Sequence, residues 1–395
     1  MRILVVGGGS GGHVTPVVAV VREIWKSRPR AKIDFWTDKK YYKNARKITI
    51  ENGMDVDIKK VAAGKLRRYA NFGFMDYLRH FDIVLNNFGD FFKTLGGFFQ
   101  SFFRLLFKRP DAIFLKGGYV CLPVGLAARL LRIPYVIHDS DATPGLTNRL
   151  LAKKAAKIAT GMPLSYYSYP EEKAEWTGIP INEEFKPVSE RKQKSLKKEL
   201  GFDPDKKLVL ATGGSLGAED INLTMRKILP ELLKKSSVML VAGRERYPEM
   251  MDLKDYEVWE DGELKSNFRM FEFSSEMWKL IGAADIVISR AGASTMTELS
   301  AMAKPVIMVP NEELPGRHQV KNAKAYEKAD AAIVVSDSKM MKDPELLLDA
   351  ILHLLRSERE CERLAVNLHG FTKDHAAENL ASMVISVVAD KKKSS

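Results

Sequence analysis

Five glycines and a serine occupy positions 7–12, directly after the apolar run ILVV and directly before His13. Gly7, Gly9 and Gly12 satisfy the spacing G-x-G-x-x-G. Such a loop turns tightly and brings backbone N–H groups to an anion at a helix N-terminus, where the helix dipole favours negative charge. His13 adds a side chain with a reference pKa near ~6.5, able to accept a proton at neutral pH. A second loop, ATGGSLGAEDIN at 211–222, sets Gly213, Gly214 and Gly217 around Ser215. A third, SRAGASTMTEL at 289–299, offers Ser294 or Thr295 as a helix cap. Glu298 in that stretch reads either as a favourable first-turn charge or as a carboxylate accepting two hydrogen bonds from a ribose diol. The first loop alone equally suits NAD, because Asp38 stands where a ribose-binding acid is expected, or a tight turn made for packing. Phosphate-capable loops on both halves imply a ligand held between two domains, outside the carboxyl ends of parallel strands.

The elements that must carry these loops alternate. Ile3–Val6, Ile33–Thr37, Ala112–Lys116 and Tyr135–Ile137 read as strands, with helices at Val14–Trp25 and Leu122–Leu131. A second series begins near Lys207 with LVLATGG, then a helix over Ile221–Leu233, VMLVAG, strands Ile286–Ser289 and Val306–Val309, and a helix over Ser294–Met302. Alternation of this kind implies parallel sheets flanked by helices, an α/β class. Prolines 163, 170, 180 and 187 place a domain linker near Gly161–Pro187. The expected domains are 1–165 and 185–370. The charged run SERKQKSLKKEL is expected to be a solvated helix face.

At 395 residues two domains are expected. The formal net charge of +12 points to a polyanionic neighbour: nucleic acid, an anionic membrane surface or a phosphorylated substrate. Two cysteines, Cys121 and Cys361, lack metal spacing and make a disulfide framework improbable. No leader is visible, and no run reaches the ~18 uncharged apolar residues of a transmembrane helix.

GGGSGGHVTP, GGYVCLPVGLAARLLRIPYVIHD, GLTNRLLAKKA, GGSLGA and RAGASTMTE together resemble the MurG family of bacterial glycosyltransferases, in order from residue 3 to about residue 325. The resemblance implies a GT-B fold: two Rossmann-like domains facing across a cleft, with a last helix (about Ala376–Val388, within 372–390) crossing back to the first. It implies inverting transfer of N-acetylglucosamine from UDP-GlcNAc to a polyprenyl-pyrophosphoryl muramyl-peptide in peptidoglycan synthesis. No cofactor, no obligatory metal and no nucleic acid are implied; the expected place is peripheral, on the cytoplasmic face of the cell membrane. Carried over by position, Ser10, Gly11 and Gly12 approach donor and acceptor pyrophosphate, and Ser215 binds the uridine diphosphate. Ser274 lies against the uracil. Ala293, Ser294, Thr295, Met296 and Thr297 cradle the donor phosphates, Glu298 holds the ribose, and His318 and Gln319 contact the donor sugar. Asp141 and Asn182 complete the donor set; Gly9, Gly12, His13, Gly117, Gly118 and Tyr119 form the acceptor set. Three stretches depart from the family pattern. HEQN appears as His138-Asp139-Ser140-Asp141, G-N-P-x-R as Gly178-Ile179-Pro180-Ile181-Asn182, and QQ as His318-Gln319. The arginine missing at Asn182 leaves Arg290 or Arg317 as substitutes.

Inverting transfer needs a group to accept the acceptor hydroxyl's proton, and His13 is the expected base, with Asp139 a weaker candidate. His13 could instead pack at the helix start or position the acceptor pyrophosphate. His138 is expected to end a strand. The segment 80–108 has an apolar series, Leu95, Phe98, Phe99, Phe102, Phe103, Leu106 and Phe107, at helical spacing, and Lys65, Arg67, Arg68, Arg79, Lys108 and Arg109 flank it. It is either core or a membrane-docking helix ringed by cations, with Phe98 and Phe102 the residues on which docking would rest. Competing functions are a diacylglycerol glycosyltransferase of the same fold, an NAD-dependent dehydrogenase and a non-catalytic nucleotide-sugar binder.

Overall fold

A computed structural model describes residues 1–9, 14–65, 81–214, 217–261 and 263–393. Along β1 (Arg2–Val6), Ile3 and Val5 enter one apolar cluster and Leu4 and Val6 another. A strand buried on both faces belongs in a parallel sheet covered by helices on both sides. The chain divides into two units, Met1–Ile181 together with the segment from Lys373 onward, and Asn182–Thr372.

The first unit adds β2 (Lys32–Thr37), β3 (Asp57–Lys60), β4 (Ala112–Leu115), β5 (Tyr135–Asp139), β6 (Lys157–Thr160) and β7 (Ala174–Trp176). All pair in parallel, in the order β3-β2-β1-β4-β5-β6-β7. The order reverses between β1 and β4, so the loops after those two strands diverge and leave a crevice at their carboxyl ends. Helix Thr15–Ser27, with proline in its first turn, packs on one face through Val17, Val20 and Val21. The last helix, Ala376–Lys393, sends Leu380, Ala381 and Val384 into that same cluster. Helix Cys121–Leu130 covers the other face with Val124 and Ala127. The stretch read as linker contains β7, an edge strand on β6, and the boundary between the two units, Ile181 to Asn182, also falls within it.

The second unit holds β8 (Leu208–Thr212), β9 (Ser237–Val241), a hairpin of β10 (Trp259–Glu260) and β11 (Glu263–Leu264), β12 (Phe268–Phe271), β13 (Ile286–Ser289), β14 (Val306–Met308) and β15 (Ile333–Val334). Its sheet runs β12-β9-β8-β13-β14-β15, parallel throughout, with the reversal between β8 and β13. The charged run forms helix Glu190–Glu199, capped by Ser189. It is not solvated all round. Leu196 is fully buried, the buried Lys197 ammonium reaches Asp285 at 2.7 Å, and Gln193 Nε2 donates to the Ala284 carbonyl at 3.0 Å, so these three positions anchor the helix.

Helix Phe81–Phe107 corrects the single-faced reading of the phenylalanine segment. Leu105 and Ser101 are fully buried, and Phe98 and Phe102 pack partly buried against the same cluster. At Gly97 any Cβ would strike the Ala62 carbonyl, so the chain after β3 crosses the helix there. Phe88, Phe91, Phe92, Leu95, Phe99, Phe103, Leu106 and Phe107 are exposed. Adjacent residues on a helix point ~100° apart, so the pairs Phe98-Phe99 and Phe102-Phe103 each place one ring inward and one outward. The cationic rim is also smaller than expected. Lys108 binds Asp34 at 2.6 Å and Asp57 at 3.1 Å, and Arg109 donates to the Leu131 carbonyl at 2.9 Å. Arg67, Arg68 and Arg79 lie outside the described residues. No helix among the described residues is long and apolar enough to cross a membrane.

Candidate functional site

The glycine-rich loops follow the strands that flank the two reversals, β1 and β4 in the first unit and β8 and β13 in the second. In the first unit, Asp38 organises them. Its Oδ1 accepts from the Gly9 N–H at 3.1 Å and its Oδ2 from the Tyr119 hydroxyl at 3.0 Å. Asp38 is buried, and a Cβ on Gly8 would meet its Oδ1 at 2.6 Å, so glycine is required where the loop passes. Both carboxylate oxygens are therefore committed, which removes Asp38 as a ribose ligand and with it the main support for an NAD site. Burial, then the neighbouring Asp38, holds the Tyr119 hydroxyl well above the usual range. Gly117 and Gly118 both take positive φ and turn the chain from β4 into its helix. Gly9 and Tyr119 of the acceptor set thus come together, with Gly117 and Gly118 in the turn leading to Tyr119. Ser10, Gly11, Gly12 and His13 lie outside the described residues.

Beside Gly117 lies a buried polar cluster that sequence reasoning largely missed. The fully buried His138 bonds through Nε2 to the Gly178 carbonyl at 2.9 Å and through Nδ1 to Lys116 Nζ at 2.9 Å. A carbonyl only accepts, so Nε2 carries the proton and Nδ1 takes the lysine's hydrogen. Lys116 Nζ also donates to Ser140 Oγ at 2.5 Å. Burial lowers the Lys116 ammonium to about 8, against the opposing pull of Asp141 and Asp139. Asp139 accepts from Asn148 Nδ2 at 2.7 Å, from the Gly145 N–H at 3.2 Å and from the Tyr169 hydroxyl. Burial raises its carboxyl to about 6, with those three bonds opposing. So enclosed, Asp139 is a clasp on the 140–145 loop and not a base facing substrate. Asp141 itself is partly exposed, and its carbonyl accepts from Tyr167 at 2.7 Å. Lys116, Asn148 and Tyr169 left only one signal in the sequence, a lysine directly after the apolar run of β4.

In the second unit Gly214 and Gly217 take positive φ after β8, closed by the Gly217 N–H on the Gly214 carbonyl at 3.1 Å. Ser215 lies outside the described residues. After β13, helix Ala293–Ala301 begins behind Gly292, whose extended backbone makes it the cap residue with no side-chain bond. Ser294 and Thr295 are therefore not caps. They sit in the first turn, where the N–H groups of residues 293–295 precede the first intrahelical bond, Met296 N–H to Gly292 O at 2.9 Å. Met296 is fully buried and its N–H is spent, so it supports the helix and offers nothing to a ligand. The Thr297 hydroxyl bonds back to Ala293 O at 2.9 Å. Glu298, partly buried in the second turn, has no hydrogen-bond partner among the described residues, and desolvation raises its carboxyl to about 7. A first-turn charge does not describe it.

Arg290 does not stand in for the missing arginine. Its guanidinium is held by Asp220 at 2.8 Å, Asp337 at 2.7 Å and the Val309 carbonyl at 3.2 Å. Arg317, in a left-handed turn before helix His318–Lys328, has an Nε with no partner among the described residues. His318 opens that helix, and Gln319 Oε1 accepts from the Asn311 N–H at 2.9 Å, leaving its amide nitrogen as what it can offer a sugar. Asn182 is exposed at the start of the second unit. Ser274, after β12, accepts from the Glu276 N–H at 3.1 Å. Next to it, and not anticipated, the exposed Phe273 ring lies 4.1 Å from the Arg244 guanidinium. A flat face of this kind suits a heterocyclic base.

Residues 3–160 match the glycosyltransferase family 28 N-terminal domain and residues 208–380 the glycosyltransferase family 28 C-terminal domain. A protein of Clostridium kluyveri is 34% identical over 363 residues, covering 89% of this chain and 91% of its own. One of Clostridium botulinum is 32% identical over 390 residues, covering 97% and 98%. Both bear the name UDP-N-acetylglucosamine–N-acetylmuramyl-(pentapeptide) pyrophosphoryl-undecaprenol N-acetylglucosamine transferase. The crystal structure of Acinetobacter baumannii MurG superposes with a TM-score of 0.73 at 23% identity, covering 98% of this chain and 99% of that one.

Proposed function

The chain belongs to the MurG transferases of glycosyltransferase family 28, and from that premise we propose how its residues carry out the reaction. It transfers N-acetylglucosamine from UDP-GlcNAc to the lipid-linked muramyl-pentapeptide, a step of peptidoglycan synthesis. The acceptor hydroxyl attacks the anomeric carbon, the bond from that carbon to the phosphate oxygen breaks, and UDP leaves. His13 takes the hydroxyl's proton. The first-turn N–H groups of residues 293–295, at the positive end of a helix dipole, meet the charge that grows on the leaving diphosphate. Glu298 accepts from the ribose diol, and the Phe273–Arg244 face takes the uracil. The acceptor pyrophosphate lies against the loops of Gly9 and Gly117–Tyr119. The observation that carries the donor half of this reading is the open helix N-terminus at the second reversal with an unpartnered carboxylate one turn beyond it. Thermal shift tests it: UDP-GlcNAc raises the melting temperature, UDP-glucose does so less, and NAD leaves it unchanged. Stabilisation by NAD alone would contradict it.

The acceptor's polyprenyl chain confines it to a membrane, and the exposed face of helix Phe81–Phe107 is the surface by which the enzyme docks there, peripherally and on the cytoplasmic face. An apolar patch of this extent on one helix marks an interaction surface. Phe99→Ser with Phe103→Ser reduces binding to anionic vesicles by about 10²–10³-fold, since each half-exposed ring contributes about 2 kcal/mol at ~25 cal/mol per Å². The melting temperature stays unchanged. Phe98→Ser with Phe102→Ser instead lowers it, because those rings meet the core. Undiminished vesicle flotation by the Phe99/Phe103 variant would remove docking from this face.

A further inference from the structure

The first unit contains a hollow of about 1310 Å³ beside the glycine loop. It opens between helix Tyr42–Glu51, the chain following β3, and helix Phe81–Phe107. Seven of its fifteen lining residues are lysine or arginine. Five of these, Lys39, Lys40, Lys43, Arg46 and Lys60, have no ion-pair partner among the described residues. The other two are matched, Lys47 with Glu51 and Lys93 with Asp90. The lining holds only two acids, Asp38 and Glu51, against these seven cations. Glu51 is engaged with Lys47, and Asp38 has given both oxygens to Gly9 and Tyr119. The floor is apolar, formed by Val61, Ala62 and Ala63. Lysines scattered on a convex surface are simply hydrated. Here the cations gather around one concavity with an apolar floor and too few carboxylates to balance them, so each raises the potential felt by the others.

We infer that this hollow binds the carboxylates of the acceptor's peptide, and the inference rests on the transferase reading above. The link is made by Asp38 and Tyr119, which line the hollow and also hold the glycine loop where the acceptor's pyrophosphate is proposed to lie. An acceptor seated on that loop has its peptide within reach of the hollow. A pentapeptide brings at least its C-terminal carboxylate, and the volume exceeds that of the ~300–1,000 Å³ pockets that hold drug-sized ligands. Apolar side chains of the peptide rest on the apolar floor while its charged end meets the cations. The chain thereby reads the acceptor at two points, pyrophosphate at the loop and carboxylate in the hollow, and prefers acceptors that carry the peptide.

The test is a double variant, Lys43→Ala with Arg46→Ala, both exposed positions, with its melting temperature measured against the wild type. Transfer from UDP-GlcNAc is followed in neutral detergent micelles to two acceptors, a polyprenyl-pyrophosphoryl muramyl-pentapeptide and the same lipid without its peptide. The wild type favours the peptide-bearing acceptor in kcat/KM by about tenfold or more, and the variant loses most of that preference, as expected for removing charge-assisted bonds. Its KM for UDP-GlcNAc is unchanged. Calorimetric titration with the soluble muramyl-pentapeptide reads the same site without turnover: the wild type binds it, more weakly as salt rises, and the variant does not. A preference unaltered by the substitutions overturns the inference. So does an equal fall with both acceptors, which would assign the cations to the pyrophosphate. Vesicle binding lost while micellar kinetics stay normal would also overturn it, because the anion would then be a phospholipid headgroup. Binding of the muramyl-pentapeptide by a wild type that transfers no sugar would uphold the hollow and overturn the transferase reading instead.

Discussion

Alanine at position 13 lowers turnover by roughly 10²–10⁴-fold at saturating acceptor, the usual cost of losing a general base, and leaves donor affinity unchanged. The reasoning starts from position. In the sequence His13 directly follows the glycines after β1 and precedes helix Thr15–Ser27, and the proposal above sets it beside the acceptor. Asp139, the other candidate, has its oxygens occupied by Asn148, Gly145 and Tyr169, and His138 is fully buried between Lys116 and Gly178. With both competitors tied into the fold, the proposal assigns the proton of the acceptor hydroxyl to His13. Steady-state kinetics with the lipid-linked acceptor distinguishes the roles. A fall in kcat supports the base, a rise confined to the acceptor KM supports positioning, and near-normal values in both make the residue a packing element.

Glu298→Gln weakens UDP-GlcNAc binding about tenfold above pH 7, because a charge-assisted bond is worth ~1.5–3 kcal/mol and a neutral one ~1. The wild type also binds the donor more weakly as pH falls, and the variant does not. Burial raises this carboxyl from 4.5 to about 7 in the unliganded protein. Ribose hydroxyls donate to the ionised form, so donor binding expels the proton and affinity declines as the pH drops through 7 and below. The sign for stability is the reverse. An acid with a raised folded pKa favours the fold fully below its unfolded value, and that contribution is lost as the pH rises from 4.5 through 7. Donor therefore protects the wild type against heat most at alkaline pH. Calorimetry at several pH values checks both claims; a pH-independent wild-type affinity would take Glu298 out of the ribose site.

What could be read in the chain before its fold was known was local. The glycine loops were legible because a tight turn between strand and helix demands glycine wherever it occurs, and the strands because their apolar runs have no other explanation. The partners were not. Arg290 looked free because Asp220 stands 70 residues away and Asp337 on a different helix; only the sheet order joins them. Lys116 just after β4, His138 and Asp139 in β5 and Asn148 in the helix that follows meet because β4 and β5 lie side by side. The cap of helix Ala293–Ala301 lies two or three residues before Ser294 or Thr295, since an extended Gly292 and a helical Ser294 differ in backbone angles that composition does not show. In helix Phe81–Phe107 the doubled phenylalanines carried the period without its phase, so the inward and outward rings could not be told apart.

The most direct measurement is transfer of radiolabel from UDP-GlcNAc carrying labelled sugar to the polyprenyl-pyrophosphoryl muramyl-pentapeptide, with the lipid fraction separated and counted. Label enters the lipid only when acceptor is present. One GlcNAc is added per acceptor, UDP is released in equal amount, and the new linkage has the anomeric configuration opposite to that of the donor. A folded wild-type protein that leaves the lipid fraction unlabelled, or that labels diacylglycerol from UDP-glucose instead, would contradict the assignment.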